Sequence, residues 1–374
     1  MRRLPPIEKA RLARLARRRE RKRVHRKLIR RLSIKARTER AGRNTSLTRS
    51  LGVPFSPHAI RYPILLPEEI SLRTNFTQTV EVVQMLREAV LVRGEPVMLY
   101  FDRVRQIEPA ALLLLAGEIF RCRNLRSSRL GLSVHGSYPA DPDIRHQLRD
   151  MGFFRLLGVE DAQTADSERR EERPYFVHMR SATGVDGEFA AAFCNLVLHG
   201  AFPMNDTARR RLVGALKEAM GNADEHAYKE VTSYPPMKGR WWLTGYVNPS
   251  QGEMMIILAD QGIGIPRSLG PTQYERISSL LTSRTWQPSD GYMIAAATEL
   301  HRTSTGQSGR GKGFRDMKRF IDTCDDGELR IISNSGAYQY MKGTETISDE
   351  AMSIGGTLIE WRVRHAHMVE VEDA

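Results

Sequence analysis

With 374 residues, 41% of them hydrophobic, the chain has room for two or three domains with sizeable cores, which excludes wholesale disorder. Its longest apolar run, Ala110 to Gly117, is about half the roughly 18 residues that a membrane span needs, and the Arg-rich start lacks the apolar stretch of a secretory signal. Three widely spaced cysteines, Cys122, Cys194 and Cys324, offer neither a disulfide framework nor a zinc cluster, so a reducing cytoplasm is expected.

The net charge of +13 is concentrated at one end. Residues 1–50 hold 20 Lys/Arg and three acids, a net of +17, and the remainder carries a net of −4. Leu12, Leu15, Val24, Leu28, Ile29 and Leu32 interrupt the charges of this basic arm. Arg and Leu are good helix formers, but the charges repel one another, so a free arm is expected to be only partly helical and a polyanion to order it. Phosphate-backbone contact with DNA or RNA is the leading expectation, against docking on an acidic protein or anionic lipid, or a solvated tail. Three acids and few serines argue against a mitochondrial transit peptide, and the lack of aromatics argues against base stacking.

Three prolines within 51–63 mark a linker or extended lead-in. The stripe Val80, Val83, Leu86, Val90 predicts a helix over 79–92, and Val97 to Phe101 predicts a buried strand. Pro109 opens a helix reaching Phe120. A strand is expected over 130–135 and a helix over 144–157. The segment 161–174, polar and without large apolar residues, places the main domain boundary.

Four segments in the second half carry candidate chemistry. On a long helix starting near Asn205, Glu218, Asn222 and His226 fall at i, i+4 and i+8, on one face. A carboxylate one turn from an amide suits Mg²⁺-assisted phosphate chemistry, although polar residues at that spacing also describe a solvated helix face. An apolar strand from Met254 runs into Asp260, Gly262 and Gly264, where the carboxylate can accept from an exocyclic amine and the glycines admit close backbone approach. Gly306, Gly309, Gly311 and Gly313 precede a helix over 317–322, with Arg310 and Lys312 among them, which is an anion-binding arrangement. A P-loop is a near miss, because Gly313 stands where Ser or Thr is required and no buried strand precedes the loop. Gly355-Gly356-Thr357 leads into a late strand.

In this order, Glu218-Ala219, Asn222-Ala223, His226-Ala227-Tyr228, then Asp260-x-Gly262-x-Gly264-Ile265-Pro266, then Gly311-x-Gly313-Phe314-x-x-Met317, the set resembles the GHKL ATPase superfamily over about residues 185–364, nearest to the anti-sigma-factor serine kinases. The stretch around Val97 to Ile119 more weakly resembles a STAS domain, with Ile107-Glu108-Pro109-Ala110-Ala111 where that family has its phosphoacceptor serine. The expected class is α/β (α+β): a basic arm (1–50), a STAS-like α/β domain (51–160), a linker (161–174) and a Bergerat-type α/β sandwich (175–374). The resemblance implies Mg²⁺ on Asn222 and Glu218 as general base. It implies Asp260 accepting from the adenine amine with Thr357 near the base, Gly262 and Gly264 shaping the floor, and Gly309 to Gly313 wrapping the phosphates. Arg310 or Lys312 would reach the γ-phosphate, and about 267–308 would form a lid.

The use of ATP stays open between a conformational switch or slow ATPase, a serine kinase acting on a separate partner, and a module that only binds. Autophosphorylation of the STAS-like domain lacks an acceptor at Pro109-Ala110. A histidine kinase at His146 lacks the expected following Pro and a helical hairpin. A protein partner for the STAS-like domain and a homodimer are both compatible with this reading.

Overall fold

The computed structural model describes residues 61–125, 134–159, 174–198, 204–228, 234–269, 289–300 and 313–364, so the basic arm, the expected 161–174 linker apart from its last residue and Gly309 to Lys312 lie outside the described residues. Those that are described fall in one compact unit, an α+β arrangement built on two principal sheets.

In chain order, β1 (Tyr62–Leu65), β2 (Glu69–Ile70), helix α1 (Phe76–Arg87, prolonged by a π turn over Glu88–Val92), β3 (Val97–Tyr100), β4 (Gln106–Ile107), α2 (Pro109–Leu125), β5 (Val134–Gly136), α3 (Pro142–Asp150) and α4 (Phe153–Leu156) make the N-terminal layer. Its parallel sheet has the order β1-β3-β5, with β2 and β4 paired separately. The stripe Val80, Val83, Leu86, Val90 is buried as expected. β1 starts inside the segment read as a linker; Pro63 is tolerated there because β1 is an edge strand, where a missing N–H costs no ladder bond. The helix expected over 144–157 is broken in two. Gly152 takes φ +74 at the break, and a Cβ there would lie 3.0 Å from the His178 Cβ, so the chain turns where that histidine packs.

The second sheet follows: β6 (Tyr175–Thr183), α5 (Gly187–Leu198), α6 (Asp206–Glu225), β7 (Arg240–Asn248), β8 (Glu253–Asp260), α7 (Ile265–Ser268), α8 (Asp290–Leu300), α9 (Gly313–Asp322), β9 (Asp326–Ser333), β10 (Gly336–Met341), β11 (Thr344–Asp349) and β12 (Thr357–Arg364). Seven antiparallel strands run β11-β10-β9-β12-β8-β7-β6.

This sheet is covered on both faces, which explains why β8 is buried at every position rather than alternately. Ile256, Leu258, Trp241, Leu243, Ile359 and Trp361 share one core with α5, α6, α8 and α9. The alternate residues Ile257, Ala259, Trp242, Ile332 and Leu358 share the other with α1 and α2. Helix α2 touches β5 of the parallel sheet and β7, β8 and β12 of the antiparallel one. That position accounts for its nearly all-round burial from Ala110 to Ile119: a helix between two sheets has little solvent face. No helix among the described residues is long and apolar enough to cross a membrane.

Candidate functional site

Three polar side chains line up across the end of the seven-stranded sheet. Asp260 ends β8, Thr357 opens β12 and Ser333 ends β9, and the register pairs Thr357 with both Asp260 and Ser333. Each continues, at even spacing, the row of residues that packs on α6 and α9, so all three belong to that face. Thr357 Oγ1 and Ser333 Oγ are 3.0 Å apart, and Ser333 Oγ accepts from Ile265 N at 2.8 Å. Gly262 N donates to Asp260 Oδ1 at 2.8 Å. Burial pushes the Asp260 carboxyl up to about 6, against the opposing bonds from Gly262 and Thr357.

The glycine-rich turn after β8 is shaped by contacts within the chain. A Cβ on Gly262 would lie 2.2 Å from the Ala227 carbonyl oxygen, which accepts from Ile263 N at 2.7 Å, so only glycine lets these two segments meet. Gly264 packs against the Asn334 carboxamide, whose Nδ2 donates to Ile263 O at 2.9 Å. Asn334 N in turn donates to Gly356 O at 3.0 Å.

Helix α6 brings the remaining candidates to this corner. Asn205 caps it through a 2.9 Å bond from Ala208 N, as its sequence suggests. Leu212, Ala215, Leu216, Ala219, Met220 and Ala223 bury its inner face. Glu218 and Asn222 ride its last two turns, both partly exposed, and Asn222 Nδ2 is buried without a hydrogen-bond partner among the described residues. The helix ends at Glu225, so His226 is its C-cap rather than a third member of a continuing helical face. The chain leaves the axis there because Ala227 and Tyr228 are held elsewhere. Both His226 N and Ala227 N donate to Asn222 O, at 3.1 and 3.0 Å. Tyr228 Oη donates to Arg240 O at 2.8 Å and accepts from Gln261 N at 3.2 Å. Asn222, Gly262 and Asp260 are thus linked through the short segment His226 to Tyr228.

Helix α9 packs on α6 and begins at Gly313, four residues earlier than its hydrophobic pattern indicates. Gly309, Arg310, Gly311 and Lys312 lie outside the described residues, as does most of the expected lid segment 267–308; its described part holds the end of α7 and α8. Asp316, in the first turn of α9, acts on Glu218: burial raises the Glu218 pKa, and the Asp316 and Glu225 carboxylates add to it against Lys217. A carboxylate raised in this way is a stronger proton acceptor than an ordinary one. An open groove of about 370 Å³ lined by Ala191, Asp206, Arg209, Arg210 and Val213 lies at the opposite end of α6 and is separate from this corner.

Asp316, Ser333, Asn334 and Gln261 are the residues the sequence did not single out. Ser333-Asn334-Ser335-Gly336 reads only as a hairpin turn, and Asn334 indeed takes φ +53 there. Among the described residues no three His, Cys, Asp or Glu side chains cluster as a metal cage. Asn222 could offer a cation its carboxamide oxygen, which leaves most ligands to come from water or a bound molecule. All three cysteines are reduced and buried. No protein-family model matches the chain, and no curated protein matches it.

Proposed function

We propose that the chain binds Mg²⁺-ATP at this corner, in a Bergerat-type site, and works as an ATP-dependent conformational switch or slow ATPase. One observation carries the reading. A desolvated carboxylate, a threonine and a serine share the sheet end, and hydrogen bonds through Ala227 and Tyr228 join that end to the last turn of α6, which carries Asn222. Asp260 is the natural acceptor for the adenine amine, with Thr357 beside it. Asn222 would hold Mg²⁺ through its carboxamide oxygen, and the ion when bound would neutralise phosphate charge. Glu218, its pKa raised by burial, Asp316 and Glu225, would orient the attacking water and take its proton. The N-terminal layer, which we read as STAS-like, and the basic arm would present the outcome to a partner.

The test is the fate of the γ-phosphate. Glu218→Ala is expected to keep ATP affinity within about threefold while phosphate release falls at least about hundredfold. Asp316→Asn removes a charge that raises the Glu218 pKa, so the acidic limb of turnover moves to lower pH. Wild-type protein that releases no phosphate and labels no partner acts by binding alone, and label appearing on a partner identifies a kinase.

The arm is a separate matter. Deleting residues 1–50 removes a net charge of +17 and is expected to abolish nucleic-acid binding that weakens steeply with salt. Filter binding between 50 and 200 mM salt, or about that range, measures it. Equal affinity of the truncated chain discards the nucleic-acid role.

A further inference from the structure

The alternation that turns Asp260 toward α6 turns the next residue, Gln261, toward the N-terminal layer. Gln261 is 3% exposed, and its Nε2 donates to Glu118 Oε2 at 3.3 Å. Glu118, on α2, is fully buried and held by two arginines: Arg87 Nε at 2.7 Å, and Arg121 through Nε at 3.0 Å and Nη2 at 2.7 Å. Both arginines are also nearly fully buried, and the Tyr234 ring lies 5.9 Å from each guanidinium.

This triad abuts the nucleotide corner from behind at two places. Besides its link to Gln261, Arg87 lies against the Gly355-Gly356 turn: a Cβ on Gly355 would be 2.5 Å from Arg87 Nη1. That turn is pressed onto the strand end, since a Cβ on Gly356 would be 2.2 Å from Asp260 O and 2.9 Å from the Gln261 Cα. Arg87 Nη2 and Gln261 Oε1 are both buried and have no hydrogen-bond partner among the described residues, so the network is only partly satisfied and a lost contact within it is not replaced by water. Buried ion triads do not outperform apolar packing as stabilisers. What this one does is reach, through Gln261 and Arg87, two turns that belong to another layer.

We infer that Gln261 is a positioning residue through which the Arg87–Glu118–Arg121 triad holds the Asp260–Gly262 and Gly355–Thr357 turns in register around the adenine ring, so that the N-terminal layer and the nucleotide site are energetically coupled. The inference rests on the reading that this corner takes a nucleotide. Coupling is reciprocal: whatever the layer does to ATP affinity, ATP does to the layer.

The full chain and its Gln261→Met variant, close in volume but without the amide, are titrated calorimetrically with Mg-ATP and Mg-GTP, with the melting of each apo protein recorded. In parallel, hydrogen exchange of the wild type is followed with and without ATP over residues 84–92 and 118–125. The variant is expected to melt within about 5 °C of wild type, to bind ATP about tenfold more weakly and to discriminate less between adenine and guanine. ATP is expected to slow exchange in both segments, although they lie on the sheet face away from α6. A folded variant with unchanged ATP affinity and base preference overturns the inference, as does an equal loss for both nucleotides. If the variant does not fold, unchanged exchange in the two wild-type segments overturns it. Wild type that binds neither nucleotide overturns the functional reading first and this inference with it.

Discussion

Asp260→Asn is expected to melt higher than wild type at pH 8 and to lose at least about a hundredfold in adenine-nucleotide affinity. The two effects share one cause. Asp260 is buried, and its carboxyl titrates near 6 in the folded protein against 3.8 for the ordinary group, so holding it ionised opposes folding by up to about 3 kcal/mol. Asparagine removes that charge and can still accept from Gly262 N with its single oxygen. With that oxygen committed, its NH₂ group faces the position where the resemblance puts an exocyclic amine, so two donors meet without an acceptor. The sign of the pH dependence follows. Above the folded value near 6 the carboxyl is ionised in both states and the penalty is complete. As pH falls from 6 toward 3.8 the folded protein takes up its proton before the unfolded chain does, and the penalty lifts. The melting advantage of Asp260→Asn is therefore largest above about pH 7 and fades toward pH 4, and wild-type ATP affinity declines over the same descent. Parallel melts and titrations at pH 8, 6 and 5 separate the outcomes. A variant that melts lower at every pH and binds ATP normally makes Asp260 an ordinary structural carboxylate.

Much of this corner was legible in the residues because it is built from local patterns. A β-strand alternates sides with period two, so Met254 to Asp260 had to deliver its terminal carboxylate to a defined face. A helix starting at Asn205 had to carry Glu218 and Asn222 on one stripe. What escaped was set by long-range packing. The end of α6 at Glu225 depends on Ala227 and Tyr228 being engaged by Ile263, Arg240 and Gln261, none of which a helical pattern contains. The break at Gly152 depends on His178, in a strand of the other sheet. Gln261 looked like a spacer between Asp260 and Gly262; its environment is supplied by α2, more than a hundred residues earlier. The run Ala110 to Gly117 announced burial but not that two sheets would share it.

Arg73→Met is expected to destabilise the interface between the two layers by about 2–3 kcal/mol, or several degrees in melting temperature, less than a fully buried pair would because the Arg73 side chain stays 27% exposed. Arg73 Nη2 lies 2.6 Å from Glu360 Oε1 and 2.9 Å from Glu328 Oε1, with Nε 3.4 Å from Glu108 Oε1. Burial works against its charge, yet the Glu360 and Glu328 carboxylates more than compensate and raise its pKa. Glu360 is 1% exposed, and without Arg73 it becomes a buried carboxylate short of its nearest cation. The double variant Arg73→Met/Glu360→Met should recover most of the loss, because replacing both partners of a buried pair by apolar groups is close to neutral, whereas removing one is not. A double variant no more stable than Arg73→Met alone means that the arginine acts through its packing. The same pair also separates stability from site geometry. Glu360 is three residues along β12 from Thr357, about 10 Å at strand rise. Arg73→Met should therefore lower the melting temperature more than Gln261→Met does and disturb adenine selectivity less. If the two variants rank the same way on both measurements, the Gln261 contact transmits only stability, and the coupling assigned to the buried triad is a general property of the interface.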